Sequence, residues 1–180
     1  MKRELIKKIS IPEGVTIEID GSKLNAKGKE GELSREFNLS KSKMEQKGNE
    51  IYLSQKTSTK NEKKMMNTIA AHIENMLKGV SKKFEYTLKV CYGHFPFTIR
   101  QDGNKVWIKN FLGEKVERVV ELPNGIDIEI KKDIITIKSV NKELAGQASA
   151  NFETATKVRG RDKRIFQDGI YIIEKDGKKM

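Results

Sequence analysis

The residue types that most often do chemistry in proteins are scarce in this 180-residue chain, which has one cysteine and two histidines. Cys91 and His94 stand three residues apart, a spacing that suits a thiolate–imidazole pair or half of a metal site. The rest of the sequence supplies neither two further soft ligands nor an orienting partner at a known spacing. We therefore predict no catalytic and no metal-binding residues, and we interpret 91–96 as a linker.

The motifs that cradle small phosphorylated ligands are also missing. Neither GxGxxG nor GxxxxGK[ST] occurs in the chain, so the usual nucleotide-binding loops are not predicted. The other histidine, His72, lies beside the apolar stripe of a predicted helix and is interpreted as a packing residue. We expect no cofactor and no small-molecule substrate.

Arginine shows the clearest clustering in the chain. The 36 Lys and Arg residues outnumber 25 Asp and Glu residues, and the net charge of +11 favours a polyanionic partner such as nucleic acid. Three of the seven arginines fall within 159–164, and arginine can grip phosphate bidentately and stack on bases. The predicted anion-binding residues are Lys157, Arg159, Gly160, Arg161, Lys163, Arg164, Lys175, Lys178 and Lys179. The alternative is a solvated helix end whose basic side chains complement the helix dipole.

The net charge is distributed unevenly along the chain. Residues 1–90 carry 19 basic and 12 acidic side chains, residues 91–156 carry nine of each, and residues 157–180 carry eight and four. The excess of basic over acidic side chains in the second half therefore lies entirely after its predicted helix. The basic residues of the first half are dispersed, and most are expected to face solvent, with Lys2, Arg3, Lys7 and Lys8 as the exceptions. The charge of this half is expected to help assembly more than to specify the binding site.

Composition excludes several classes of protein. No apolar run approaches the ~18–20 residues that span a bilayer. The charged start at 1–8 lacks the apolar stretch of a signal peptide. A single cysteine cannot form an internal disulfide, which is typical of a reducing compartment. We expect a soluble cytoplasmic protein without a membrane partner.

The elements that must position the basic residues are present twice. The segments 15–23 and 97–105 are similar, and their Asp-Gly pairs are 82 positions apart. With the same offset Gly31 falls on Gly113, and each copy continues into a segment of helical periodicity. We interpret this as an internal duplication.

In the first copy, strand-like segments are followed by one helix. Strands are predicted at 15–19, 23–27, 32–37 and 51–55. Thr59 and Glu62 form a capping box that begins a helix, and the apolar stripe of this helix ends at Gly79. A last strand at 84–90 is expected to close the unit.

The second copy repeats the pattern. Strands are predicted at 97–101, 105–110, 116–121, 126–131, 134–138 and 170–174. A helix is predicted at about 142–157, and a second Asp-Gly turn at 168–169. This order predicts an α+β fold with two tandem similar domains, 1–90 and 91–180, each a small antiparallel or mixed sheet packed against one main helix.

Several motifs resemble those of one known family. They are IPEGV at 11–15, HIENMLKGV at 72–80, YGHFP at 92–96, NFLGEK at 110–115 and RIFQDGIYI at 164–172. In this order and at this spacing, they resemble the archaeal and eukaryotic branch of the large-subunit ribosomal protein L-six family. The similarity extends over at least 61–175.

The resemblance implies two similar α+β domains, no enzymatic activity and binding of large-subunit ribosomal RNA, mostly through the second domain. It places the protein in the cytoplasmic ribosome near the stalk base, with neighbouring ribosomal proteins and docking translation factors close by. The family's RNA-contacting segment after the second helix maps onto 157–164. The bacterial branch has Tyr-Lys-Gly-Lys-Gly there and this chain has Val-Arg-Gly-Arg-Asp, so individual bacterial contacts do not carry over.

Two other functions stay open at this point. One is an RNA-processing enzyme that uses Cys91 and His94, in which case replacing both side chains should abolish an RNA-dependent activity. The other is a free RNA-binding module, such as a chaperone, that would not sediment with the large subunit in a cell extract.

Overall fold

The computed structural model describes residues 3–39 and 42–180, and the chain divides into two compact units, Met1–Lys83 and Phe84–Met180. In the first unit the described elements are the strands β1 (Arg3–Ser10), β2 (Thr16–Asp20), β3 (Lys23–Gly28), β4 (Gly31–Glu36), β5 (Lys43–Lys47) and β6 (Glu50–Ser58), and the helix α1 (Lys60–Ser81).

The first unit packs α1 against two antiparallel sheets with the strand orders β1–β6–β5 and β2–β3–β4. The helix begins at the predicted capping box: the Thr59 side chain accepts from the Glu62 N–H, and the Thr59 N–H donates to Glu62 Oε2 at 2.6 Å. Its buried residues recur every three or four positions from Met66 to Val80. The core is therefore the apolar face of α1 against both sheets.

At two positions of the first unit, the structure explains why the residue is glycine. Gly21, in the predicted Asp-Gly turn, has φ +59°, which favours glycine. Gly28 lies against the end of α1, where an added Cβ would be 2.5 Å from the Val80 carbonyl oxygen. The same oxygen accepts the Glu30 N–H at 3.0 Å, so the β3–β4 hairpin is docked directly on the helix end.

In the second unit the described elements are β7 (Phe84–Cys91), β8 (Thr98–Asp102), β9 (Lys105–Lys109), a 3₁₀ turn (Phe111–Gly113), β10 (Arg118–Glu121), β11 (Asp127–Lys131), β12 (Ile134–Ser139), α2 (Lys142–Ala155), β13 (Gly169–Lys175) and β14 (Lys178–Lys179). A five-stranded antiparallel sheet has the order β11–β12–β7–β13–β14, and a three-stranded sheet has the order β10–β9–β8. α2 packs on β7, β10, β12 and β13, and the core includes the fully buried Phe84, Phe111 and Phe152.

The strand at 84–91 belongs to the second unit, which corrects the predicted placement of 84–90 in the first domain. β7 pairs with β12 and β13, and the division therefore falls between Lys83 and Phe84 rather than after residue 90. Alternating buried side chains, Phe84, Tyr86 and Leu88, identify a strand. They do not identify its pairing partner, because alternation is a local property and pairing is not.

The duplication extends to the topology of the sheets. The order β1–β6–β5 of the first unit returns as β7–β12–β11 in the second, and β2–β3–β4 returns as β8–β9–β10. The second unit extends its larger sheet with β13 and β14 on the far side of β7. The predicted α+β class and the duplication are confirmed.

Three strands were not predicted, and weak patterning explains the omission. β1 is rich in charge and only Ile9 is fully buried among its described side chains. β5 buries only Met44, and β14 has two residues, both exposed. Among the described residues, no helix is long and apolar enough to cross a membrane.

Candidate nucleic-acid interface

The segment 157–164 is an exposed loop that leads from α2 to β13. Its start is anchored by two buried residues, Thr156 and Val158. Thr156 Oγ1 donates to the Phe152 carbonyl oxygen at 2.9 Å and accepts the Ile170 N–H at 2.9 Å. The exposed basic residues of the loop are Lys157, Arg159, Arg161, Lys163 and Arg164.

Arg118, on β10, braces the start of this loop. Its Nη1 donates to the carbonyl oxygens of Ala155 at 2.7 Å and Lys157 at 3.3 Å. Its Nε and Nη2 donate to the Glu114 carboxylate at 2.7 and 2.5 Å, and its guanidinium lies 4.3 Å from the Phe111 ring centroid. Arg118 therefore satisfies carbonyl groups that the end of α2 leaves open.

The Arg118 guanidinium also affects the acidity of its partner. Its hydrogen bond to Glu114 is the largest cause of a pKa below the usual range for that carboxyl, and the charges of Arg118 and Arg161 act in the same direction. Glu114 is therefore ionised at neutral pH and keeps the Arg118 brace in place.

The three arginines of the loop have different surroundings. Arg159 lines an open groove of about 580 Å³ together with Arg118, Asn151 and Thr154. Arg161 lies with its guanidinium carbon 4.7 Å from the Phe166 ring centroid. Arg164 pairs within the loop with Asp162 at 3.1 Å, yet 90% of its side chain is exposed.

Gly160 separates the first two arginines with φ +68° and nothing within 4 Å of an added Cβ. The positive φ, rather than a close neighbour, is what favours glycine at this position.

A stack of planar groups orders the far end of the loop. The Phe166 ring contacts both Arg161 and His94, with 4.3 Å between the centroids of Phe166 and His94 and 14° between their planes. His94 Nδ1 is bonded to Asp168 Oδ2 at 2.6 Å. Asp168 Oδ1 accepts the backbone N–H groups of Gly93 at 2.7 Å and of His94 at 3.0 Å.

The Asp168 carboxylate is 1% exposed, and its pKa reflects two opposing causes. Burial, the larger single cause, would raise the pKa, but the hydrogen bonds from the backbone N–H groups of His94 and Gly93 and from the His94 ring together lower it below the usual value. Asp168 is therefore a buried carboxylate that stays ionised because it is fully hydrogen-bonded.

The predicted residues near the end of the chain lie apart from the loop. Lys175 ends β13, and Lys178 and Lys179 form β14, which pairs with it. β13 has seven residues, or roughly 20 Å at about 3.3 Å per residue, between the loop and this hairpin. The predicted set of basic residues is thus divided into a loop group and a hairpin group.

Two of the four basic residues predicted near the start of the chain contact side chains of the first unit. Lys7 pairs with Glu74 at 3.7 Å, and Lys8 lies 5.3 Å from the Tyr52 ring centroid. Arg3 begins β1, and Lys2 lies outside the described residues.

Cys91 and His94 both line a groove of about 510 Å³. In the part of the chain that the structure describes, no hydrogen bond joins the Cys91 thiol to the His94 ring. The His94 ring is held by Asp168 instead. In residues 3–39 and 42–180, no group of three or more His, Cys, Asp and Glu side chains is placed to hold a metal ion.

Comparison with known proteins assigns the family. The family model described as Ribosomal protein L6 matches residues 11–83 and again residues 95–169. The large ribosomal subunit protein uL6 of Methanothrix thermoacetophila is 42% identical over 97% of this chain and 99% of its own length. The chain belongs to the ribosomal protein L6 family.

Further L6 proteins support this assignment. The large ribosomal subunit protein uL6 of Methanococcus vannielii is 42% identical over 94% of this chain and 93% of its own length. That of Sulfurisphaera tokodaii is 38% identical over 96% of this chain and 93% of its own length. These archaeal relatives confirm the predicted branch, and the two separate matches to the L6 model confirm the duplication.

Two residues that organise this candidate site carry no signal that sequence patterns could detect. Arg118 lies three residues after the NFLGEK motif at 110–115 and has no predicted role, and Asp168 is predicted to be part of an Asp-Gly turn. That turn prediction is wrong: Gly169 is a residue of β13 paired with Cys91, and an added Cβ would lie 3.1 Å from the Tyr171 ring. No local signal marks Asp168, because its partners are 74 and 75 residues away.

Proposed function

We propose that this L6-family protein is a structural constituent of the large ribosomal subunit that binds large-subunit ribosomal RNA mainly through the loop 157–164. Its family makes it a non-enzymatic ribosomal protein of the cytoplasm. RNA binding through this loop is proposed because Arg159, Arg161 and Arg164 are all exposed on it. Buried residues anchor the start of the loop, and the contact of Arg161 with Phe166 orders its far end.

Binding through this loop is electrostatic and shape-dependent. Each cation placed against a phosphate releases counterions, which favours association and makes it sensitive to salt. The deep, narrow major groove of an A-form helix excludes side chains, so the arginines recognise phosphates and the surface of the fold rather than a paired sequence. An anchored loop also loses little conformational freedom on binding, which preserves affinity.

The position on the ribosome is part of the same proposal. We place the second unit near the base of the stalk, where docking translation factors and neighbouring ribosomal proteins are its further partners. The hairpin group, Lys175, Lys178 and Lys179, is separated from the loop and is the part of the proposed interface available for a second contact.

The test compares two charge-matched double variants by filter binding to large-subunit ribosomal RNA over a salt series. Arg159→Ala with Arg161→Ala should weaken binding by about tenfold or more and reduce the salt slope by roughly 1.5, since two phosphate contacts are lost. Lys29→Ala with Lys43→Ala removes two exposed charges from the first unit and should weaken binding far less. Equal losses from the two pairs would refute the assignment to the loop.

A second measurement separates a ribosomal component from a free RNA-binding module. The protein should travel with the large subunit when a cell extract is sedimented through a sucrose gradient. Recovery only in the slowly sedimenting fractions would contradict the ribosomal assignment.

A further inference from the structure

Beside the basic loop lies the open groove of about 510 Å³ whose lining includes Tyr92, His94, Ile165, Gln167 and Tyr171. We propose that this groove receives one unstacked base of the bound RNA, while the phosphates of that nucleotide and its neighbours contact the loop. This inference rests on the proposed RNA binding and adds to it a single-stranded element that shape recognition of a helix does not require.

The groove presents apolar and aromatic surface that the fold itself leaves uncovered. Tyr92 is 47% exposed, Ile165 is 65% exposed and Tyr171 is 44% exposed. The absence of a side chain at Gly169 lets the Tyr171 ring lie over the backbone, and Tyr171 Oη donates to the Asp168 carbonyl oxygen at 3.5 Å. Aromatic rings held in this way are suitable platforms for a base, which has a flat π-face of its own.

The groove is ordered before any ligand binds. His94 is fixed between its hydrogen bond to Asp168 at 2.6 Å and its stack on Phe166 at 4.3 Å. Since Nδ1 is used by Asp168, Nε2 is the remaining hydrogen-bonding atom of the ring, and the Gln167 amide is a second polar group in the lining. These groups can contact the edge of a base that lies on the tyrosines.

Charge selects a nucleotide over an apolar protein segment as the occupant. Lys163 and Arg164 directly precede the lining residue Ile165 in the chain, and Arg161 lies against the Phe166 ring that stacks on His94. The acidic residue among these cations, Asp162, is already paired with Arg164 at 3.1 Å. Asp168 lines the groove but accepts three hydrogen bonds and is 1% exposed, so it offers little repulsion. An apolar site with a cationic border is complementary to a base that carries a phosphate.

The test uses the full chain and two labelled RNAs, a single-stranded octaadenylate and a blunt 12-base-pair duplex, in fluorescence anisotropy titrations. The variant Tyr92→Leu with Tyr171→Leu keeps apolar volume and charge but removes both rings. We expect about tenfold weaker binding of the octaadenylate, at unchanged salt slope, because stacking and not charge is lost. Binding of the duplex should change less than about twofold.

Phe95→Leu is the matched control, since Phe95 is 50% exposed and does not line the groove. It should bind both RNAs as the wild type does. If the double tyrosine variant fails to fold, Ile165→Asn provides the second test, because it removes apolar surface at a side chain that is 65% exposed without adding charge, and it should also weaken octaadenylate binding.

Three results would overturn the base-binding groove: no binding of octaadenylate by the wild type, no loss in the groove variants, or equal losses on both RNAs. If ribosomal RNA binding still depended on Arg159 and Arg161, the proposed function would survive that failure. If the wild type did not bind ribosomal RNA, the proposed function itself would fail.

Discussion

At the scale of single residues, a buried carboxylate lies behind the exposed cations of the proposed interface. Asp168 accepts two backbone N–H groups and the His94 ring, and His94 supports the Phe166 ring on which Arg161 lies. A basic side chain at the surface is thus connected to the core by a short series of direct contacts.

The first prediction concerns the loss of this acceptor. Asp168→Ala leaves the N–H groups of Gly93 and His94 without their acceptor in a partly buried place, and we expect a loss of about 2–4 kcal/mol in the free energy of unfolding. Urea denaturation followed by the fluorescence of Trp107, the single tryptophan, reports on the second unit. Asp162→Ala is the control, because that exposed carboxylate should change stability by less than about 0.5 kcal/mol. Equal effects of the two variants would contradict the structural role of Asp168.

The second prediction concerns pH. The pKa of Asp168 is lower in the folded protein than the ordinary 3.8, so the unfolded chain takes up the proton first as the pH falls. Its stabilisation is therefore fully present above about pH 5 and is lost as the pH falls through the folded pKa. Asp168→Asn should show a shallower loss of stability than the wild type between pH 5 and pH 2.5, in urea titrations at each pH. Parallel curves for the two proteins would argue against this.

At the scale of elements, a side chain from the three-stranded sheet holds the end of α2 and the start of the basic loop. Arg118 comes from β10 and donates to carbonyl oxygens on both sides of the buried Thr156. The loop is therefore positioned by the three-stranded sheet as well as by the helix from which it continues.

The third prediction tests this brace. Arg118→Ala should speed the exchange of amide hydrogens in 156–159 and weaken binding of ribosomal RNA by about three- to tenfold, although only 23% of the Arg118 side chain is exposed. Arg118→Lys keeps the charge but lacks the planar fork, so it should also accelerate exchange. Arg100→Ala, an exposed site on β8, removes the same charge and should do neither. Similar exchange rates in the Arg118 and Arg100 variants would contradict the brace.

Prediction from sequence succeeded for elements with strong local signals and failed where partners are distant. The capping box at Thr59 and the turn at Gly21 were predicted because each is a local hydrogen-bonding or backbone requirement. β1 was missed because its buried positions are few, and β7 was predicted but assigned to the wrong unit. In both cases the decisive contacts are with strands far away in the sequence.

At the scale of the whole molecule, the end of the chain is part of a sheet. The Asp176 N–H donates to the Glu85 carbonyl oxygen at 2.7 Å, and the Met180 N–H donates to the Ile173 carbonyl oxygen at 3.0 Å. Removing residues 174–180 therefore breaks pairing with β7 and β13, and such a deletion cannot separate a role in factor docking from a role in folding.

The fourth prediction uses substitution instead of deletion. Lys178→Ala with Lys179→Ala keeps the backbone pairing of β14 and should change the stability of the second unit by less than about 0.5 kcal/mol. If the hairpin group contacts the factor-binding region, reconstituted large subunits with this variant should stimulate factor-dependent GTP hydrolysis less than wild-type subunits. Normal hydrolysis would exclude the hairpin group from the proposed interface. The proposed RNA binding by the loop 157–164 would not be contradicted by that result.

Local sequence patterns were sufficient to predict the basic character of the protein, its duplication, most of its helices and strands, and the arginine-rich segment after the second helix. These follow from composition and from short-range periodicity, which depend on residues close together in the chain. Three features required the folded structure: the sheet that β7 joins, the hydrogen bonds from the N–H groups of residues 93 and 94 to Asp168, and the division of the predicted basic residues into two groups. Those outcomes depend on packing between segments that are distant in sequence, and no local pattern specifies them.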